Sequence, residues 1–267
     1  MRRVFGPLVI IAALCAALSG CGKKAQQAQN APSDSLLASA TPRDGGTVIR
    51  RLDSECKTLN WVLYTTAYEL FVLRHIYDPV LDYDVNGNLV PVLASELPTV
   101  SPDHLRITVK LRSDAHWSDG VPITARDIKW TLDKVRDPKI PAINKAPYFE
   151  KLDHLEVVDD HTVVWVWKEA FAPAIYAITQ LWPIPEHIYG QGDFLTNPAN
   201  RKPVGSGPFT LDQWESGQYI SLVRDPNYWG EKAHLDRIIF KVVEDDAVAL
   251  NMLKAGELDE MRATQGQ

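Results

Sequence analysis

The chain has 267 residues, with 28 Lys and Arg against 34 Asp and Glu and a net charge of −6. Hydrophobic residues make up 45% of it, enough for a buried core and too many for a wholly disordered chain. The acidic balance argues against nucleic acid as a partner, because such binders carry a basic stripe.

Arg2 and Arg3 precede an apolar run, Leu8 to Leu18, that is too short to span a bilayer stably and reads as an export signal over residues 1–20. The Leu18-Ser19-Gly20-Cys21 that follows resembles the lipobox of bacterial lipoproteins, which implies cleavage before Cys21 and a lipid on its thiol. Losing Arg2 and Arg3 with the leader takes the net charge from −6 to −8. Residues 21–44 are rich in Ala, Gln, Ser, Lys and Pro and read as a flexible tether, with too little apolar surface to offset the entropy of ordering. Of the three cysteines, Cys15 lies in the leader and Cys21 is the lipidation candidate, which leaves Cys56 without a disulfide partner in the chain. An inert, partly buried thiol is the expectation for Cys56, with a nucleophile or ligand as the alternative.

Thr47-Val48-Ile49 reads as an entering strand. Ala67, Leu70, Phe71, Arg74 and Tyr77 recur at helical spacing, which predicts an amphipathic helix over Thr66 to Tyr77, stopped by Asp78-Pro79. Val80 to Val85 and Leu89 to Val92 flank Asn86-Gly87, predicting a hairpin with a tight turn that has positive φ at both central residues. Leu105, Ile107, Val109 and Leu111 alternate with polar residues as in a strand with one wet face. Thr124 and Asp127 have the spacing of a capping box, and Ile128, Leu132 and Val135 form the stripe of the helix it opens. Val157 to Trp167 reads as a second hairpin whose return strand, apolar on both faces, belongs at the centre of its sheet. Phe171 to Gln180 is expected to be helical, and Gln191 to Lys202 to be a loop and boundary marker. Phe209 to Trp214 and Tyr219 to Val223 pair across Glu215-Ser216-Gly217, and Arg237 to Val243 is another strand. A final helix, capped by Asp245 or Asp246, ends at Gly256.

Three blocks carry a resemblance. The first runs from Leu111-Arg112 through His116-Trp117-Ser118-Asp119-Gly120 to Pro122-Ile123-Thr124-Ala125-Arg126-Asp127-Ile128. The second is Pro203-Val204-Gly205-Ser206-Gly207-Pro208-Phe209 with Arg224-Asp225-Pro226-Asn227-Tyr228-Trp229-Gly230, and the third is Leu253-Lys254-Ala255-Gly256-Glu257-Leu258-Asp259. In this order they resemble the bacterial solute-binding proteins of peptide and nickel ABC importers. The resemblance implies an α/β, type II periplasmic-binding-protein-like fold. Its first lobe would comprise residues 45–82 and 173–267, with a small α/β subdomain inserted at 83–172. It also implies a second lobe beyond Asp259 that this sequence does not contain, so a piece of a longer protein or a truncated remnant is expected.

The function so implied is capture of peptides or similar small solutes for a membrane permease, by a monomer without cofactor, metal or catalysis. Peptides in this family lie extended, hydrogen-bonded through their backbone. Tyr64, Thr65, Thr66 and Tyr68, before and at the start of the first helix, are the candidate ligand contacts, and Trp182 and Ser206 are candidates for the cleft wall. The alternative for the tyrosines is packing at the helix start. Gly205-Ser206-Gly207 could pass for a phosphate cradle, but Pro208 and a strand follow where a helix N-terminus is needed. A hydrolase is disfavoured by the absence of a G-x-S-x-G or H-E-x-x-H pattern. A nickel or haem carrier on the same scaffold would need His or carboxylate ligands, and the seven His are dispersed.

Overall fold

In the computed structural model, residues 42–262 are described. The leader, Cys21 and nearly all of the tether lie outside them. No helix of the described residues is long and apolar enough to cross a membrane.

In chain order the elements are β1 (Thr47–Leu52), α1 (Ala67–Ile76), β2 (Leu81–Tyr83), β3 (Leu89–Pro91), β4 (Thr99–Val100), β5 (Arg106–Lys110) and α2 (Ala125–Arg136). There follow β6 (Leu152–Asp159), β7 (Thr162–Trp167), α3 (Ala174–Thr179), α4 (Glu186–Tyr189), β8 (Phe209–Glu215), β9 (Tyr219–Arg224), β10 (Arg237–Val242) and α5 (Asp246–Ala255). Two four-stranded sheets result, β1-β10-β9-β8 and β4-β5-β7-β6, with the β2-β3 hairpin beside them. β1 runs parallel to β10 in the register Thr47 to Arg237, and the other pairings are antiparallel. One contiguous apolar core takes side chains from both sheets, including Leu52, Leu73, Trp117, Trp165, Ile220 and Phe240.

β5 buries Ile107 and Val109 and exposes Arg106 and Lys110, as its alternation requires. β7 lies between β5 and β6, and with Val163, Val164, Trp165 and Trp167 all buried its two-sided apolar character has a central place to occupy. α2 opens on the expected box: the Asp127 carboxylate accepts from the Thr124 backbone N–H at 2.9 Å. Asp245 caps α5 by accepting from the Val248 N–H, and Gly256 closes it with φ 74°.

Three details differ from the sequence reading. α1 buries Glu69, Val72, Leu73 and Ile76, a stripe rotated from the predicted one, while Ala67 and Arg74 stay exposed. Apolar residues surround most of this helix, and a buried Glu is invisible to a hydrophobic period. The Asn86-Gly87 hairpin is not a two-residue turn, because only Gly87 has positive φ (81°). The Asp84 carboxylate accepts from the N–H groups of Asn86 and Asn88 at 2.9 and 2.8 Å, which stabilises a wider loop. The helix expected over Phe171 to Gln180 shortens to Ala174–Thr179, since Pro173 biases Ala172 away from helical backbone.

The three blocks meet as scaffold. Trp117 is buried beneath a turn in which the Asp119 carboxylate accepts from Val121 N–H at 3.1 Å. Ser118 N–H donates to Gly205 O at 2.8 Å, and Gly207 N–H donates to Ile76 O, also at 2.8 Å. Trp229 Nε1 donates to Ser206 O at 3.0 Å, with the Arg112 guanidinium 4.4 Å above the Trp229 ring. In the third block Asp259 grips β1, its carboxylate accepting from Ile49 N–H at 2.7 Å. At Gly205 a Cβ would lie 2.0 Å from the Ile76 carbonyl oxygen, so the second block can sit against the end of α1 only without a side chain there. Gly205→Ala is therefore expected to destabilise the fold by about 1–3 kcal/mol in denaturant unfolding, the usual range for overpacking. A loss too small to measure would contradict the close approach.

Candidate functional site

The loop from Lys57 to Thr66 owes its shape to Glu69, a carboxylate 1% exposed in the first turn of α1. Glu69 Oε1 accepts from the N–H groups of Lys57 (2.9 Å) and Thr58 (3.3 Å). Oε2 accepts from Thr65 N–H (2.8 Å), Thr66 N–H (2.9 Å) and Thr66 Oγ1 (3.1 Å). Thr66 Oγ1 in turn accepts from Glu69 N–H, so the helix start is a closed capping box. The loop's far side is tied down by Asn60, whose Nδ2 donates to Asn200 Oδ1 at 2.8 Å and whose Oδ1 accepts from Val62 N–H at 2.8 Å.

Aromatic rings gather along this loop. Trp182 stacks on Trp61 with ring centroids 6.4 Å apart and planes at 16°. Asn144 Nδ2 donates to the Tyr64 carbonyl at 3.2 Å, holding the segment before Tyr148 against the loop. Lys145 follows, 4% exposed, with its ammonium 4.5 Å above the Trp61 ring and 4.7 Å above the Tyr64 ring. Tyr148 meets Tyr176 edge-on at 5.8 Å, and Tyr176 is 45% exposed. Two cation–π contacts contribute about 0.5–2 kcal/mol each, against a cost of several kcal/mol for enclosing an ion. Burial accordingly pushes the Lys145 ammonium down to about 8, and burial first of all pushes the Tyr64 hydroxyl up to about 12.

Of the residues nominated from sequence, Trp182 joins this cluster through Trp61, and Tyr64 joins it through the Lys145 ammonium that the Trp61 and Tyr64 rings both face. Thr65 is exposed beside it and Thr66 caps α1. Tyr68 points toward Phe71, at a centroid distance of 6.4 Å. Ser206 lies apart and is 2% exposed, its hydroxyl accepting from Asp78 N–H at 2.8 Å. There it braces the end of α1. Trp61, Asn144, Lys145, Tyr148 and Tyr176 were not nominated. Aromatic density around residue 61 was the available signal for the first of them. Nothing in the local pattern marked Lys145.

Cys56 is fully enclosed and not partly buried as expected, and burial pushes its thiol up to about 12. It is thus a protonated core side chain. Among the described residues no group of three or more His, Cys, Asp or Glu is placed to hold a metal ion.

Residues 88–266 match the bacterial extracellular solute-binding proteins, family 5 Middle. The chain belongs to this family. Among curated relatives of this family 5 protein, Protein XP55 of Streptomyces lividans is 34% identical over 221 residues, spanning 81% of this chain and 40% of XP55. The oligopeptide-binding protein AppA of Bacillus subtilis is 26% identical over 257 residues, 94% of this chain and 46% of AppA. The structure of that AppA in complex with a nonapeptide superposes with a TM-score of 0.75, covering 82% of this chain and 44% of that one. NikZ of Campylobacter jejuni, in complex with Ni(L-His), superposes with a TM-score of 0.71 at 25% identity, covering 79% and 42%. The fold is thus that of the type II periplasmic binding proteins, and the chain spans less than half the length of these relatives. The candidate loop lies just upstream of the matched residues.

Asp78 supplies a pH test of the scaffold beside Ser206. It accepts from Tyr228 OH at 3.2 Å, and burial above all pushes its carboxyl up to about 7. Between the ordinary carboxylate range near ~4 and that value, the folded state holds more protons than the unfolded state, so this group makes stability fall as pH rises. Asp78→Asn is expected to flatten the fall in stability between about pH 4 and 7, measured by denaturant titration at stepped pH. An unchanged slope would contradict the enclosed, protonated carboxyl.

Proposed function

We propose that this chain is the solute-capturing part of an ABC importer's binding component, which takes peptides outside the cytoplasmic membrane and delivers them to a permease. The observation that carries this reading is a preorganised loop, Lys57 to Thr66, lined by Trp61, Tyr64, Tyr148, Tyr176 and Trp182, on a family 5 scaffold. A braced, aromatic-rich loop suits ligands of varied side chain, since the peptide main chain supplies the common hydrogen bonds. The exposed Thr65 would meet the ligand's polar groups, with Tyr64, Tyr68 and Trp182 as neighbouring walls, while Thr66, whose N–H and hydroxyl are engaged by Glu69, would brace them. The nonapeptide held by AppA supports the choice of ligand class.

The rest of the assignment follows the same reading. Residues 45–82 and 173–267 would form one lobe and 83–172 an insertion, a division supported by the β4-β5-β7-β6 sheet falling wholly within the insertion. Cleavage after Gly20 would leave Cys21 to carry a lipid and hold a monomer at the membrane surface. Binding without catalysis is the role assigned, with closure of two lobes around the solute as its mechanical step. The similarity to NikZ favours nickel chelates as the second reading.

Calorimetry on the mature protein extracted from its native cells separates the two. A random tetrapeptide mixture should give saturable binding at about micromolar affinity and be recovered intact, whereas nickel with L-histidine should give none. Saturation by the nickel chelate alone would replace the peptide reading, and release of amino acids from the tetrapeptides would overturn a pure binding role.

A further inference from the structure

We propose that Lys145 is a carboxylate-recognition residue, which pairs with an anionic group of the solute at the aromatic end of the Lys57 to Thr66 loop. The inference rests on the peptide-binding reading and deepens it by naming the charged group the site selects.

Three observations lead to it. Lys145 is 4% exposed, a degree of enclosure rare for lysine unless the ammonium is paired. Its surroundings on two sides are the faces of Trp61 and Tyr64, at 4.5 and 4.7 Å, and among the described residues no carboxylate or carbonyl is hydrogen-bonded to it. The other buried cation of the fold is treated differently: Arg51 donates to the carbonyls of Val243 and Glu244 and pairs with Asp53 and Asp246. Arg51 thereby meets two carbonyls and two carboxylates through Nε and Nη2, with only its Nη1 left buried and unpartnered, whereas Lys145 meets no such group among the described residues.

No neighbouring charge offsets the burial that lowers the Lys145 ammonium. Glu69, the buried carboxylate of the loop, already accepts from four backbone N–H groups and a hydroxyl. Lys145 itself is presented by the segment that Asn144 pins to the Tyr64 carbonyl, so its position is set by the nominated loop. A cation held between aromatic faces and lacking an anion is preorganised for one. An entering carboxylate would gain a charge-assisted hydrogen bond in a site already stripped of much of its water. Two sources carry that chemistry, the C-terminus of a peptide and an Asp or Glu side chain.

The test measures binding to the mature protein from its native cells and to its Lys145→Met variant, which retains an unbranched apolar stem. Three tetrapeptide mixtures are the probes: free acids lacking Asp and Glu, their C-terminal amides, and amides containing one Glu. If the terminus is recognised, the wild type prefers the acids over the plain amides by about tenfold or more, and K145M removes that preference. If a side chain is recognised, the preference appears between the two amide mixtures and is lost in the same variant. Either preference, taken as a ratio of affinities so that the peptides' own α-amino titration near ~8 cancels, should fade as pH rises through about 8, where the Lys145 ammonium loses its proton. Wild-type binding that is equal across all three mixtures, or a preference that survives in a folded K145M, overturns the inference and leaves the peptide reading intact. Failure of all three mixtures to bind the wild type removes the peptide reading and this assignment with it.

Discussion

A single buried carboxylate organises the face on which the functional reading depends. Glu69 collects Lys57, Thr58, Thr65 and Thr66 around its two oxygens, so backbone donors from both ends of one loop converge on the first turn of α1. An unpaired buried carboxylate costs far more than its hydrogen bonds return singly, and this makes the arrangement close to all-or-none. With the loop in place, Trp61 can stack on Trp182 and Tyr64 can shelter Lys145. Without it, neither ring has a fixed partner surface.

Division of labour separates that face from the three sequence blocks. The first two interlock through Ser118, Gly205, Gly207 and Trp229, largely by backbone hydrogen bonds and close contact with the end of α1, and the third is fastened to β1 by Asp259. Their residue types answer to geometry: a glycine where a side chain would strike Ile76, an Asp that closes its own turn, an indole that fills the space beneath. The loop before α1 is fastened differently, by Glu69 on its backbone donors and by Asn60 on Asn200, and it sinks Leu59, Trp61 and Val62 into the core while leaving Thr65 exposed.

Much of the fold was legible because local chemistry and burial agree. The alternation around Ile107 and Val109, the two-sided apolar run at Val163 to Trp167 and the caps at Thr124 and Asp245 each state their own structure. The stripe of α1 differs from the apolar spacing because Glu69, a polar residue that a hydrophobic period does not register, turns inward to bind the loop. The Asn86-Gly87 turn was misread because Asp84 satisfies backbone donors that a two-residue turn would not leave open. Tyr64 is a candidate by its place in the loop before the first helix, and Trp182 only through the family resemblance. Lys145 was not legible, since its partners come from a segment 80 positions away through Asn144 and the irregular stretch around it has no period to read.

The central claim is that Glu69 holds the loop ready, and site-resolved amide hydrogen exchange on the wild type and Glu69→Gln tests it directly. In the wild type the N–H groups of Lys57, Thr58, Thr65 and Thr66 should be protected. In the variant they should exchange at rates typical of an open loop while the amides of β5 and β7 keep their protection. Equal protection of those four amides in both proteins would contradict the claim, and so would a variant that loses protection throughout the fold.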